Sequence, residues 1–380
     1  TEGSLKQFPA IALNDPGSVT TVLLVGLGKD NNERVAAGKV GFFAKDNGFT
    51  AVTFFNPDCG ETVVRNVLLG NYRYDRYKSN QKDSLQHILL NCADATECTS
   101  ASIAKGQAMA EARNFARMLV DSPAADVYPE SLADEAMDLA GDNIQVEVWG
   151  LEKLEEEGMV GILGVGQGSV NPARFIHLHY KPEGTARKKI VLVGKGVTFD
   201  AGGLSLKPSA GMQTMRCDMA GSAVVMGVFH ALKSLQPDVE VHGLIGAVEN
   251  MCAANSYKLG DILSYSNGKN VEIHNTDAEG RLVMADCLIY GDKLGADYMV
   301  DFATLTGACV VALGEHYSAL FTNEDELAEQ LKKAASDSSE RLWQLPLPDL
   351  YKSQLKATWG DIKNVGGRPA GSITAALFLS

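Results

Sequence analysis

Apolar positions along the chain follow two rhythms. Short apolar or alternating runs recur at "TTVLLVGLG" (20–28), "AVTFF" (51–55), "VEVWG" (146–150), "RFIHLHY" (174–180), "KKIVLVGKG" (188–196), "VEVHGLIGAVEN" (239–250) and "DYMVDFATL" (297–305), and each predicts a strand. Between them lie runs with helical spacing. "NNERVAAGKVGFFAKDNG" (31–48) is one, and the Ala-rich "SIAKGQAMAEARNFARMLV" (102–120) is the longest in the first half. Strands alternating with helices predict an α/β fold of two domains. A smaller N-terminal α/β domain with a mostly parallel sheet is expected over 1–101, and a linking helix and connector over 102–124. A larger C-terminal α/β domain, with a mixed central sheet flanked by helices, is expected over 125–380.

Breaks in the pattern refine this picture. "DSPAADVYPES" (121–131) interrupts helical spacing with two prolines, and Ser131 is the expected N-cap of the helix "LADEAMDLA". Gly26 and Gly28 follow the first strand in the manner of a dinucleotide fingerprint. A third glycine is missing and Lys29 and Asp30 come directly after, so a tight strand-to-helix turn is the better reading. Alternating "HLH" at 177–179 reads as strand periodicity rather than as metal ligands.

Composition narrows the class. With 380 residues, 45% of them hydrophobic and 21% charged, the chain can bury a globular core. The excess of 47 acidic over 34 basic residues, a net charge of −13, argues against a nucleic-acid or membrane-surface partner. No run reaches the roughly 18 apolar residues of a membrane span, and the N-terminal stretch lacks the basic-then-apolar pattern of a signal peptide. Seven cysteines without a Cys-x-x-Cys pair fit reduced thiols in a cytoplasmic protein.

Chemistry concentrates in two segments. In "VGKGVTFDAGGLSLKPSAGMQTMRCDMAG" (193–221) an apolar strand runs into a Gly-rich loop that carries Lys195, Asp200, Lys207 and Asp218. Ligands of α/β sheets bind beyond the carboxyl ends of strands, where this loop must lie. In "HNTDAEGRLVMAD" (274–286), Asp277, Glu279 and Arg281 occupy alternate positions and would share one face on an extended backbone. Asp200, Asp218, Asp277 and Glu279 together supply four carboxylates beside apolar elements. Such a cluster repels itself unless cations neutralise it, and a pair of divalent ions sharing carboxylates would do so. Without a His-Glu-x-x-His motif, the donor set is oxygen-rich and suits zinc, manganese, magnesium or cobalt.

These residues carry a family resemblance. "NTDAEGRL" (275–282) resembles the signature of the leucyl aminopeptidases, the cytosol aminopeptidase family of two-metal exopeptidases. "GKGVTFDAGGLSLKP" (194–208), "MRCDMAG" (215–221), "DFATLTGA" (301–308) and "LLGNYRYDRYKS" (68–79) resemble further segments of that family in the same order. The resemblance implies that Asp200, Asp277 and Glu279 hold one divalent ion. It implies that Lys195, Asp200, Asp218 and Glu279 hold the other, the pair being Zn2+ or Mn2+ with Mg2+ or Co2+ as alternatives. Lys207 and Arg281 are the catalytic residues it implies: Lys207 polarises the scissile carbonyl, and Arg281 holds a bicarbonate ion. The implied reaction is release of N-terminal residues, leucine and other apolar ones by preference, from peptide substrates by attack of a metal-bridged hydroxide. A homohexamer is implied as well.

The implied substrate pocket is Met215, Asn275, Ala278, Thr304, Leu305 and Gly307, a lining suited to an apolar side chain. Cys217 lies between Arg216 and Asp218 but has no nearby His to activate it, so it reads as a packing residue. The chain stops within the apolar run "GSITAALFLS", whereas the family's chains continue; an incomplete C-terminal end is therefore expected. Three rival readings fit parts of the pattern: a two-metal phosphoesterase, a non-catalytic relative acting in assembly, and a DNA-binding family member. The scattered histidines, the intact set of seven site residues and the acidic charge respectively argue against them.

Overall fold

The computed structural model describes residues 10–15, 18–23, 32–55, 60–91 and 99–380. The turn proposed at Gly26 and Gly28 lies outside the described residues. Two compact units emerge, one formed by 1–118 with 230–235 and the other by 119–229 with 236–380.

The first unit opens with strands β1 (Ala10–Asp15) and β2 (Ser18–Leu23), followed by helix α1 (Glu33–Asn47) and strand β3 (Ala51–Phe55). Helix α2 (Gly60–Asn71), strand β4 (His87–Asn91) and most of helix α3 (Ser100–Asp121) complete it. β3 and β4 pair in parallel, as the alternation predicts, but β1 and β2 pair antiparallel. Only two residues separate β1 from β2. A parallel pair needs a crossover of a dozen or more residues, so strands this close in sequence can pair only antiparallel. Ala37, Val63 and Val67 form the core between α1 and α2.

The second unit begins with α4 (Pro129–Met137) and continues through β5 (Ile144–Trp149), α5 (Leu151–Glu156), α6 (Val160–Gly166), β6 (Arg174–Tyr180) and β7 (Lys189–Asp200). After these come α7 (Ser209–Met212), α8 (Ala220–Leu235, whose residues 230–235 belong to the first unit), β8 (Glu240–Asn250), β9 (Ile262–Ser264), β10 (Asn270–Glu272), α9 (Gly280–Asp292) and β11 (Tyr298–Phe302). The expected cap of α4 is displaced: the helix starts at Pro129, and Ser131 lies in its first turn. There Ser131 Oγ accepts the Tyr128 N–H at 2.9 Å and donates to the Asp126 carbonyl at 2.8 Å. Proline's fixed φ and missing N–H suit the first helical position, and that preference overrides the serine.

The central sheet has the order β11-β7-β8-β6-β5. β11, β7 and β8 run parallel, whereas β6 and β5 are each antiparallel to the neighbour before them, so the sheet is mixed as expected. β7 lies between two strands and is buried along nearly its whole length, with Val191, Val193 and Val197 fully enclosed. Its near-continuous apolar run follows from burial on both faces. The core joins β7 and β8 to α6 and α9 through Ile162, Leu244, Val248, Leu282 and Val283. The carboxyl ends of β7 and β8 are thereby held rigidly, and the polar loops emerge from them. Among the described residues no helix is long and apolar enough to cross a membrane.

Candidate metal centre

Lys195 and Asp200 are five residues apart on β7. Strict alternation would send their side chains to opposite faces of the sheet. A β-bulge prevents this: Val197 pairs with Val248 and Phe199 with Glu249, so Thr198 is an extra residue in the strand. The bulge shifts alternation by one and brings Lys195 and Asp200 to the same side, the re-aiming that bulges provide near functional sites. Beyond Asp200 the strand must stop, because Gly202 and Gly203 adopt φ of +89° and +60°. The Gly202 N–H donates to Asp200 Oδ1 at 2.8 Å, which locks the carboxylate over the turn.

The second segment differs from the extended backbone considered above. Asp277 lies in a turn, Glu279 is the N-cap residue of α9, and Arg281 sits in that helix's first turn. Convergence therefore comes from a turn feeding a helix rather than from strand alternation. The Asp277 N–H donates to Asn275 Oδ1 at 2.8 Å, and Asn364 Nδ2 donates to the carbonyls of Asn275 and Ala278 at 2.6 and 3.3 Å, pinning the turn.

The two segments meet. One ligand atom from each of Asp200, Asp277 and Glu279 lies within 4.8 Å of the others, a grouping able to hold a metal ion. Lys195 Nζ stands 2.8 Å from Asp218 Oδ2 and 2.8 Å from Glu279 Oε1, and it donates to the Thr304 carbonyl at 3.0 Å. Lys207 Nζ pairs with Asp200 Oδ2 at 2.8 Å and with Asp277 Oδ1. Asp218 lies outside the three-carboxylate grouping and is tied to it through Lys195. Thr304 Oγ1 donates to Asp218 Oδ1 at 2.7 Å, so this pocket candidate also orients a carboxylate.

Charge balance explains the titration behaviour. Burial pushes the Asp200 carboxyl up, reinforced by Glu279 and opposed by Lys207 and Lys195. Burial likewise raises Asp218 and Asp277. For Lys195, burial pulls the ammonium down, but Asp218 and Glu279 outweigh it and the net shift is upward; Asp200 and Asp277 do the same for Lys207. With all four carboxylates ionised, they outnumber the Lys195 and Lys207 ammonium groups and the Arg281 guanidinium by one, so positive charge is in deficit. Glu279 Oε2 is buried without a hydrogen-bond partner. An oxygen-rich, under-neutralised cluster with an orphaned carboxylate oxygen fits one or more divalent ions.

Arg281 is 5% exposed, and its Nε and Nη1 have no hydrogen-bond partner. The carboxylate of Asp286 is engaged elsewhere, accepting the Ile162 N–H at 2.8 Å. Burial draws the guanidinium down to about 10, with Glu279 opposing, so it stays protonated at neutral pH. A buried cation with two unused donors fits a planar anion.

Of the pocket candidates, Met215 is half-buried, Asn275 is half-buried, Ala278 is buried and Leu305 packs against the core. Gly307 is exposed and opens a short helix. Cys217 is half-buried, and burial pushes its thiol up, so its environment does not favour a thiolate. Sequence reasoning missed two supporting residues. Asn250, fully buried at the end of β8, donates from Nδ2 to Asp200 Oδ1 at 2.8 Å and to the Thr276 carbonyl at 2.9 Å. Thr276 Oγ1 donates to the Gly202 carbonyl at 2.7 Å and accepts the Ser205 N–H at 2.7 Å, joining the two loops. A polar residue closing an apolar strand at its carboxyl end was the available signal for Asn250.

Residues 114–380 match the cytosol aminopeptidase family, catalytic domain. A probable cytosol aminopeptidase of Aquifex aeolicus is 42% identical over an alignment spanning 100% of this chain and 78% of that protein. Another, from Nostoc punctiforme, is 43% identical over 96% of this chain and 77% of its own length. Among solved structures, the bottromycin maturation enzyme BotP in complex with Mn superposes with a TM-score of 0.88 at 34% identity, covering 98% of this chain and 83% of that one.

Proposed function

Because the chain belongs to the cytosol aminopeptidase family, and is thereby a metal-dependent aminopeptidase acting on peptides, we propose that it releases single N-terminal residues, leucine and other apolar ones by preference. The observation that carries this reading is the convergence of Asp200, Asp277 and Glu279 to within 4.8 Å from two loops far apart in sequence. The chemistry is assigned to the domain over 125–380, with 102–124 as its connector to the domain over 1–101.

Lys195, Asp200, Asp218, Asp277 and Glu279 would hold two divalent ions, zinc or manganese. When bound, such a pair lowers the pKa of a coordinated water toward neutrality and draws charge from a carbonyl. Lys207 remains an ammonium held between Asp200 and Asp277, and its side chain is 17% exposed. From there it donates to the substrate's carbonyl oxygen and stabilises the oxyanion as it forms. Arg281 would hold bicarbonate, which supplies a proton acceptor beside the reacting groups. Met215, Asn275, Ala278, Thr304, Leu305 and Gly307 would line the side-chain pocket, whose scarcity of charge favours apolar residues.

Assembly into a cytoplasmic homohexamer belongs to the same proposal. It is supported by the family, and sedimentation tests it. The activity is tested by assaying aminoacyl amides and dipeptides with zinc, manganese, cobalt or a chelator. Release of N-terminal leucine that vanishes on chelation and returns with manganese or zinc is the expected result. Chelator-resistant release, or equal rates on Leu, Asp and Lys amides, would sink the reading.

A further inference from the structure

The central sheet carries a second ligand cluster, distant from the carboxylates. β6 and β8 are antiparallel, with His179 opposite His242 and His177 opposite Leu244. Glu240 and His242, two residues apart on β8, share the face that carries His177 and His179 on β6. The His179 and His242 rings stack with centroids 4.0 Å apart at 14°. Their Nε2 atoms lie 2.9 and 3.1 Å from one atom, Glu240 Oε1. Behind them His242 Nδ1 is 2.9 Å from His177 Nε2, whose ring Nδ1 is 3.5 Å from the Tyr290 hydroxyl.

Two proton arrangements satisfy these distances. In the first, both Nε2–H groups donate to Glu240, His177 Nε2–H donates to His242 Nδ1, and Tyr290 O–H donates to His177 Nδ1. In the second, a cation replaces the two protons on Glu240. His242 then carries its proton on Nδ1 and donates it to His177 Nε2, and His177 Nδ1–H faces the tyrosine oxygen. That second chain is the outer support that metal-bound imidazoles usually have.

We propose that His179, Glu240 and His242 form a second site for a divalent transition metal of zinc's class, with His177 and Tyr290 orienting His242. One ligand atom from each of the three lies within 4.8 Å of the others. Tetrahedral zinc with bonds of about 2.0–2.1 Å sets its ligand atoms about 3.3 Å apart. Both Glu240–His contacts therefore need to open by only a few tenths of an ångström. Two imidazoles and a carboxylate are a donor set that zinc takes with one position left open. The side chains of His179 and Glu240 are 17% and 22% exposed, which leaves solvent access to that position.

The site is separate from the carboxylate centre. His242 pairs with Val191, whereas Lys195 lies four residues further along β7, roughly 13 Å at the rise of a strand. Lys189, opposite Glu240, is the nearby opposing charge, and its Nζ donates to the Leu294 carbonyl at 3.2 Å.

The test uses the full chain with the carboxylate centre disabled by Asp200→Asn and Glu279→Gln, stripped with chelator and titrated with Co(II). One ion per chain is expected, with the visible absorption of four-coordinate cobalt. Adding His179→Gln or Glu240→Gln should weaken binding at least about 100-fold. If the double variant does not fold, ion counts on zinc-loaded wild type and on His179→Gln alone should differ by one. Imidazole 15N spectra of the unsubstituted chain should show the His242 proton move from Nε2 to Nδ1 on adding Zn(II). Unchanged stoichiometry in His179→Gln, or a His242 proton that stays on Nε2, would overturn the proposal. None of these readouts uses peptidase activity, so the failure of one reading leaves the other standing.

Discussion

Gly280 and Lys195 occupy one space: a Cβ on Gly280 would stand 2.3 Å from Lys195 Cε and 2.6 Å from its Nζ. The first residue of α9 must lack a side chain for the lysine to reach Asp218 and Glu279. Helix propensity alone would favour alanine there by about 1 kcal/mol, so the glycine serves the site rather than the helix. Gly280→Ala should displace Lys195 and lower kcat on a leucyl amide by at least about 10²-fold, the scale of an ångström-sized misplacement. Wild-type turnover by a folded Gly280→Ala variant would contradict this.

Lys207 bridges Asp200 and Asp277 and keeps part of its side chain exposed. Lys207→Ala should reduce kcat at least about 10²-fold, with a smaller change in KM, as expected for a donor used chiefly in the transition state. Steady-state kinetics on leucine p-nitroanilide decide it.

Arg281 keeps two buried donors unpaired. Replacing a buried, unpaired cation by an apolar side chain of similar volume removes a desolvation cost. Arg281→Met should therefore leave the melting temperature unchanged or raised while turnover falls. A large loss of stability would mean that the guanidinium is a structural group.

Glu272 accepts the Trp359 and Thr358 N–H groups at 2.9 and 3.0 Å and pairs with His274 Nε2 at 2.8 Å. The Trp359 N–H, opposed by burial and aided by His274 and Thr358, holds its carboxyl down to about 2. A depressed folded-state value means that this contribution to stability is complete above the unfolded glutamate's pKa, roughly 4.3, and is lost as pH falls through about 2. Glu272→Gln should melt lower than wild type at pH 7, and the gap should narrow between pH 5 and pH 2. A gap independent of pH would rule this out.

What the sequence determined by itself is local: residue type, spacing and periodicity. The strands at 51–55, 174–180 and 239–250, and the helix through 102–120, follow from those signals. So does the pairing of two charged loops with the ends of apolar elements. Tertiary structure decided the rest. The bulge at Thr198 reverses the facing of Asp200 relative to Lys195, and it is a register shift defined only by the pairing of β7 with β8. The turn at Asp277 replaces an extended run because Asn364, 87 residues on, bonds its carbonyls. His179 lies 61 residues from Glu240, and only antiparallel pairing of β6 with β8 makes them neighbours. Side-chain direction in a sheet depends on register, and register is a property of two strands together, so no single stretch of chain can contain it.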